Sequence, residues 1–135
     1  MKLTIKTKGN TDIIDITQKI DNLLQNIEIT EGLVNIFVKG STAALTTIEA
    51  DPNLYIDLKN VLDQIIPPNR VWKHHQTWGD DNGSSHLKAS IIGPSLSVPL
   101  SNGQMQIGSW QRIVLIDFDT LPRQREIILS VFKST

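Results

Sequence analysis

The chain has no cysteine. Disulfides, thiolate catalysis and zinc–sulfur centres are excluded, so any metal must be held by imidazole, carboxylate or carbonyl groups. It also lacks a surplus of one charge: 13 Lys and Arg face 14 Asp and Glu, for a formal net charge of -1. Proteins that grip the nucleic-acid backbone usually carry a basic excess or a visible basic block, so nucleic acid is not an expected partner. No apolar window approaches the roughly 20 residues needed to cross a bilayer. The first residues, M-K-L-T-I-K-T-K-G-N, alternate instead of forming the apolar run of a signal peptide. No membrane partner is expected, and the cytoplasm is the expected compartment.

At 135 residues, 39% hydrophobic and 20% charged, the chain is expected to be one globular domain spanning residues 1–135, with one core. Leu3 and Ile5 alternate with polar residues as a first strand, and Ile13, Ile14 and Ile16 suggest a second. Thr17 is a candidate N-cap for a helix burying Ile20, Leu23, Leu24 and Ile27. Leu33 to Val38 reads as a buried strand, broken by Gly40-Ser41-Thr42 and resumed from Ala43 to Ile48. Asp51-Pro52-Asn53 opens a second helix, with Leu54, Leu58, Val61, Leu62 and Ile65 on one face and Pro67-Pro68 ending it. Leu87 to Ile92 fits a short helix or turn. Strands follow over Leu96–Leu100, Trp110–Phe118 and Arg125–Phe132, with a tight turn at Asn102-Gly103. The predicted class is α+β: a curved, mostly antiparallel sheet packed around one or two helices.

Chemistry-bearing residues concentrate in one stretch, W-K-H-H-Q-T-W-G-D-D-N-G-S-S-H-L-K from Trp72 to Lys88, which reads as a loop framed by two of the three tryptophans. It contains all three histidines. His74, Asp81 and His86 are spaced H-x6-D-x4-H, a workable three-ligand set for a divalent metal with an open position, and equally suited to acid–base chemistry. The spacing matches no established local metal motif. Asn82, Gly83, Ser84 and Ser85, followed by Lys88, supply turning backbone N–H groups, a possible helix start and a cation, as a phosphate requires, although the P-loop spacing is absent. A solvated turn with a serine cap fits these residues as well. Thr42 lies in a small polar interruption of a buried strand, the mark of a bulge or a ligand contact. Glu49 fits a base or metal acceptor, or an acid serving the next helix terminus. Strand alternation sends Gln111 and Arg112 in opposite directions, so one of them faces the polar cluster. Trp110 is expected in the core or an interface.

In their order, these blocks resemble the YjbQ family, also described as the secondary thiamine-phosphate synthase family. The resemblance covers nearly the whole chain. It rests on G-S-T-A-A-L-T-T-I-E-A-D-P, on H-H-Q-T-W-G-D-D-N-G-S-S-H-L-K, on N-G-Q-M-Q-I-G-S-W-Q-R-I-V-L-I-D-F-D and on the closing R-Q-R-E-I-I-L-S-V. It implies a homotrimer and a weak ability to make thiamine phosphate from hydroxymethylpyrimidine diphosphate and thiazole phosphate, releasing pyrophosphate. A divalent cation, usually magnesium, is implied as carrier of the leaving diphosphate. The family's polar positions fall on Glu49, His74, Asp81, Asn82, His86, Lys88 and Gln111. Many relatives have histidine where this chain has Gly40.

The combined expectation is a phosphorylated small-molecule substrate held by Lys88 and Asn82–Ser85, with Thr42 and Gln111 as further contacts. Asp81 and Glu49 hold the cation, with or without His74 and His86, and His86, His74 or Glu49 moves the proton. The alternatives are a small-molecule or metal-binding protein with no synthase role, and a zinc-assisted hydrolase built on His74, Asp81 and His86.

Overall fold

The computed structural model describes every residue from Met1 to Thr135. The elements follow as β1 (Lys2–Thr7), β2 (Asp12–Asp15), α1 (Thr17–Leu24), β3 (Gly32–Val38), β4 (Ala43–Ile48), α2 (Pro52–Ile65), α3 (His74–Trp78), α4 (Gly83–Ile92), β5 (Ser95–Ser101), β6 (Gln104–Met105), β7 (Arg112–Asp117) and β8 (Arg123–Lys133). All paired strands are antiparallel, in a five-stranded sheet ordered β1-β8-β3-β5-β6 and a three-stranded sheet ordered β2-β7-β4. The α+β class and its antiparallel sheet are as expected.

Alternation within strands decides the layers. Val34, Ile36 and Val38 of β3 and Ile127 and Leu129 of β8 meet Leu45, Ile113 and Leu115 of the smaller sheet, with Ile20 and Leu24 of α1 completing this core. The opposite side of the smaller sheet presents Ala44, Val114, Ile116 and Phe118 to Leu62 of α2 and Ala89 of α4. Central strand β7 is therefore covered on both faces, which is why Ile113-Val114-Leu115-Ile116 is continuously apolar instead of alternating. Burying one such side chain contributes about 1.5–3 kcal/mol. The polar stretch rides on this outer helical layer, beside the smaller sheet.

Three local expectations change. Thr17 lies inside α1, not at its cap. Its backbone N–H donates to Asp15 Oδ1 at 3.0 Å, while its buried hydroxyl accepts from Ile113 N–H at 2.8 Å, tying the helix to β7. Helix α2 does start at Asp51, whose carboxylate accepts from Asn53 N–H at 3.0 Å, with Pro52 in the first turn. Of its apolar residues, however, only Leu62 is buried; Val61 is 49% and Ile65 64% exposed. Within the single chain the smaller sheet's outer face packs against Leu58 and Leu62 and leaves Val61 and Ile65 uncovered. Trp110 precedes β7 and is 77% exposed, so it is not a core residue of the single chain. The Asn102-Gly103 turn, with φ of 52° and 71°, is as read.

Candidate functional site

The stretch from Trp72 to Lys88 is more helical than its composition suggests. Helix α3 stops at Gly79, whose left-handed φ of 69° lets its N–H return to His75 O. Asn82 occupies the N-cap of α4 without a side-chain cap bond. Its carbonyl accepts from Ser85 and His86 N–H, leaving the Gly83 and Ser84 N–H groups without a protein acceptor. Glycine relieves crowding at position 83: a Cβ there would press on Trp72 Cβ at 3.0 Å and His74 Cβ at 3.2 Å, so α3 would have to give by a few tenths of an ångström. Close approach of α3 to the first turn of α4 is thus set by one missing methyl group. Buried Ser85 fixes that turn by donating its hydroxyl to Phe118 O.

This contact brings His74 and His86 together, with ring centroids 4.7 Å apart and planes inclined by 47°. His74 Nδ1 is 2.9 Å from Asp80 Oδ1. The sequence spacing pointed to Asp81; the acid beside the imidazole pair is its neighbour Asp80, because the Gly79 turn redirects the chain. Asp81 is exposed and lines two clefts on the other side of α4. His75, given no role from sequence, has its Nδ1 3.1 Å from Trp72 O.

His74 Nδ1, Asp80 Oδ1 and Asn82 Oδ1 are buried without a properly aligned hydrogen-bond partner. An imidazole nitrogen, a carboxylate and an amide oxygen suit a hard or borderline divalent cation. No three His, Asp or Glu side chains converge to hold such an ion alone, so these residues fit one only if substrate, water or another subunit completes the sphere.

Three clefts surround the start of α4. One of about 530 Å³ lies over Trp72 and is walled by Arg70, Lys73, His74, Gly83 and His86. A second, about 320 Å³, separates α2 from α4 and includes Lys59, Asp63, Ser84, Ser85 and Lys88. The third, about 340 Å³, includes Asp80, Asn82, Asp119 and Arg123. Lys88 is buried, and its Nζ is 2.5 Å from Asp63 Oδ1, while Lys59 reaches Asp63 Oδ2 at 3.1 Å. Burial raises the Asp63 pKa, but hydrogen bonds from Lys88 and Lys59 outweigh it and hold the carboxyl below its ordinary range.

The remaining candidates are placed apart. Thr42 is buried next to Phe118, whose N–H donates to Thr42 O. Its hydroxyl donates to Asp119 Oδ2 at 3.0 Å and accepts from Arg125 Nη2 at 2.6 Å. Gln111 instead donates to Thr47 Oγ1 at 3.1 Å, and exposed Glu49 follows Ile48, the partner of Arg112. The six residues Ala43–Ile48 separate Glu49 from Thr42, about 23 Å along the strand. Within one chain, Glu49 and Gln111 sit at the opposite end of the smaller sheet from Thr42.

Sequence reasoning missed a charge network under this site, buried except at Arg123. Arg125 grips Asp117 through Nε at 2.8 Å and Nη2 at 2.9 Å, Thr7 donates to Asp117 Oδ2 at 2.5 Å, and Arg123 reaches Asp119 at 2.9 Å. Burial raises the Asp119 pKa, but bonds from Thr42 and Arg123 reverse this and leave it lowered. A signal was present: D-F-D and R-Q-R repeat at the strand period of two, placing two acids and two bases on matching faces. Gly40 adjoins the network, and a Cβ there would lie 2.5 Å from Arg125 Nη1. A side chain at position 40 therefore requires Arg125 to shift.

These features define a small α+β protein of paired antiparallel sheets with a polar site on its outer helical layer. The same fold occurs in a protein of unknown function from Sulfolobus solfataricus (TM-score 0.92, 28% identity, 99% of this chain and 96% of that one). A hypothetical protein from Aeropyrum pernix matches with TM-score 0.92 and 31% identity, over 99% of this chain and 98% of that one. The chain belongs to the YjbQ family, whose pattern, described as UPF0047 protein YjbQ-like, matches residues 1–134. A UPF0047 protein of Archaeoglobus fulgidus is 35% identical over 129 residues, 96% of this chain and 98% of the relative. The UPF0047 protein YugU of Bacillus subtilis is 35% identical over 125 residues, 91% of each. No helix is long and apolar enough to cross a membrane.

Proposed function

We propose that the α3–α4 face binds a phosphorylated small molecule and carries a weak, secondary thiamine-phosphate synthase activity. The observation carrying this reading is the open first turn of α4, with the N–H groups of Gly83 and Ser84 unclaimed beside the His74–His86 pair. Backbone N–H groups at a helix start attract phosphate, and adjacent imidazoles can move a proton. In the reaction, the thiazole nitrogen lone pair forms a bond to the pyrimidine methylene carbon. The carbon–oxygen bond to diphosphate breaks with its electron pair, and His86 protonates the departing oxygen. A divalent cation, magnesium or zinc, would neutralise diphosphate charge when bound; His74 and Asp80, with the Asn82 amide oxygen, are the residues suited to hold it.

Glu49 and Gln111 enter this site only from a neighbouring subunit. A homotrimer accommodates that arrangement, and the exposed Val61, Ile65 and Trp110 offer apolar surface for it. The test is product formation by purified protein supplied with both precursors and magnesium, wild type beside His86→Ala. Product from the wild type and a clear loss in the variant are expected; equal product from both removes His86 from the chemistry.

The His74–Asp80 pair, 2.9 Å apart, and the unpartnered Asn82 amide oxygen favour a second reading, a zinc-assisted hydrolase or metal-binding protein. Stoichiometric zinc in untagged protein supports it, whereas magnesium retained only together with diphosphate supports the synthase.

A further inference from the structure

Charge balance separates the clefts around α4. Between α2 and α4, Lys59 and Lys88 are both paired to Asp63, at 3.1 and 2.5 Å, and Asp81 lines the same wall. Two cations there face two acids, leaving no net attraction for an added phosphate. In the third cleft, Arg123 is held by Asp119 at 2.9 Å, with Asp80 and Asp81 close by. The cleft over Trp72 differs: its lining includes Arg70 and Lys73 and no acidic residue. The other arginines are all engaged, Arg112 by Asp15 and Arg123 and Arg125 by Asp119 and Asp117. Arg70 instead lies over the Trp72 ring, its guanidinium carbon 4.6 Å from the centroid. The indole is itself fixed, donating its Nε1–H to Pro67 O at 3.0 Å.

A planar cation on a fixed indole, a second cation and a tilted imidazole pair surround a space of about 530 Å³. That volume is within the roughly 300–1,000 Å³ of small-molecule sites. Trp72, His74 and His86 supply aromatic surface to the wall of this cleft, against which a flat ring can pack, and Arg70 and Lys73 offer charge to its phosphate. We infer that the cleft over Trp72 seats an aromatic ring bearing a phosphate or diphosphate, and that Arg70 selects for the anion. This moves the phosphate away from Lys88, which Asp63 already neutralises. The aromatic-anion preference follows from the cleft itself; only the identity of the ring as a pyrimidine rests on the synthase reading.

Calorimetric titration of the full chain tests this, with hydroxymethylpyrimidine monophosphate, the unphosphorylated ring and inorganic phosphate as probes. Arg70→Met keeps the stem of an exposed side chain, and Lys19→Met on α1 controls for loss of one positive charge. The monophosphate is expected to bind more tightly than either fragment. Arg70→Met is expected to weaken it about tenfold or more, through loss of a charge-assisted hydrogen bond. Binding of the neutral ring should stay unchanged, and Lys19→Met should match the wild type. Equal monophosphate affinity in Arg70→Met and wild type overturns the inference, as does absence of monophosphate binding by wild type. Arg70-dependent binding without product from the two precursors sinks the synthase reading and leaves the cleft. Product formation with wild-type KM in Arg70→Met does the reverse.

Discussion

Replacing Arg125 by methionine removes the cation from a bidentate pair with Asp117, whose side chain is fully buried. Thr7 still donates to Asp117 Oδ2, but one hydroxyl cannot balance a buried charge. Breaking a buried pair from one side typically costs about 3–5 kcal/mol, a large share of the roughly 5–15 kcal/mol that holds a domain together. For a chain of this size, about 3–5 °C in Tm accompanies each kcal/mol, so a fall on the order of 10–20 °C is expected. Urea and thermal unfolding at neutral pH measure it. The double variant Asp117→Leu with Arg125→Met should lose less than the two single losses added, because no orphaned carboxylate remains. An Arg125→Met cost below about 1 kcal/mol, or strict additivity in the double variant, refutes the assignment of this pair as the internal clamp under the site.

Gly83→Ala should cost about 1–3 kcal/mol and weaken ligand binding at the His74–His86 face, since Trp72 Cβ and His74 Cβ cannot swing aside as flexible side-chain ends do; urea melts and calorimetry report the two effects separately. Asp15, Asp63 and Asp119 are held below the ordinary carboxylate range: burial raises each, and Arg112, Lys88 and Thr42 respectively lead the hydrogen bonds that outweigh it. Depressed carboxylates contribute stability above their unfolded value of about 3.9 and lose it as pH falls through their lower folded values. Asp21, raised by burial, works in the opposite direction. The urea midpoint should therefore fall on acidification below about pH 4; a midpoint that rises there contradicts the net sign. Val61→Glu combined with Ile65→Glu should convert a sedimenting trimer into a folded monomer with unchanged far-ultraviolet circular dichroism. A wild type that sediments as a monomer at micromolar concentration rules out the trimer.

Periodicity made much of this fold legible. Asp51-Pro52 marked the start of α2, Asn102-Gly103 the hairpin, and alternation marked the strands, because each depends on nearest-neighbour backbone chemistry. Burial was less legible. The apolar stripe of α2 is real, but how much of it is covered depends on a sheet assembled from distant strands. The same limit explains Asp80: spacing favoured Asp81, and only the left-handed turn at Gly79 decides which acid meets His74. His74, Asn82, Gly83 and His86 share one short stretch of sequence, which is why their proximity is legible there. Lys88 reads as a free cation beside the Asn82–Ser85 turn, whereas its pairing with Asp63, 25 residues earlier on another helix, is not visible from neighbouring residues. Asp117, Asp119, Arg123 and Arg125 were quoted only as family landmarks, although their alternating spacing already placed them on shared strand faces.

The site itself is tested most directly by locating hydroxymethylpyrimidine diphosphate in a crystal of this protein. Its phosphorus atoms are expected beside the first turn of α4, between Arg70 and Gly83, with the ring against Trp72. Ligand bound instead in the cleft of Gln111 and Arg112, with the His74–His86 face empty, contradicts the assignment.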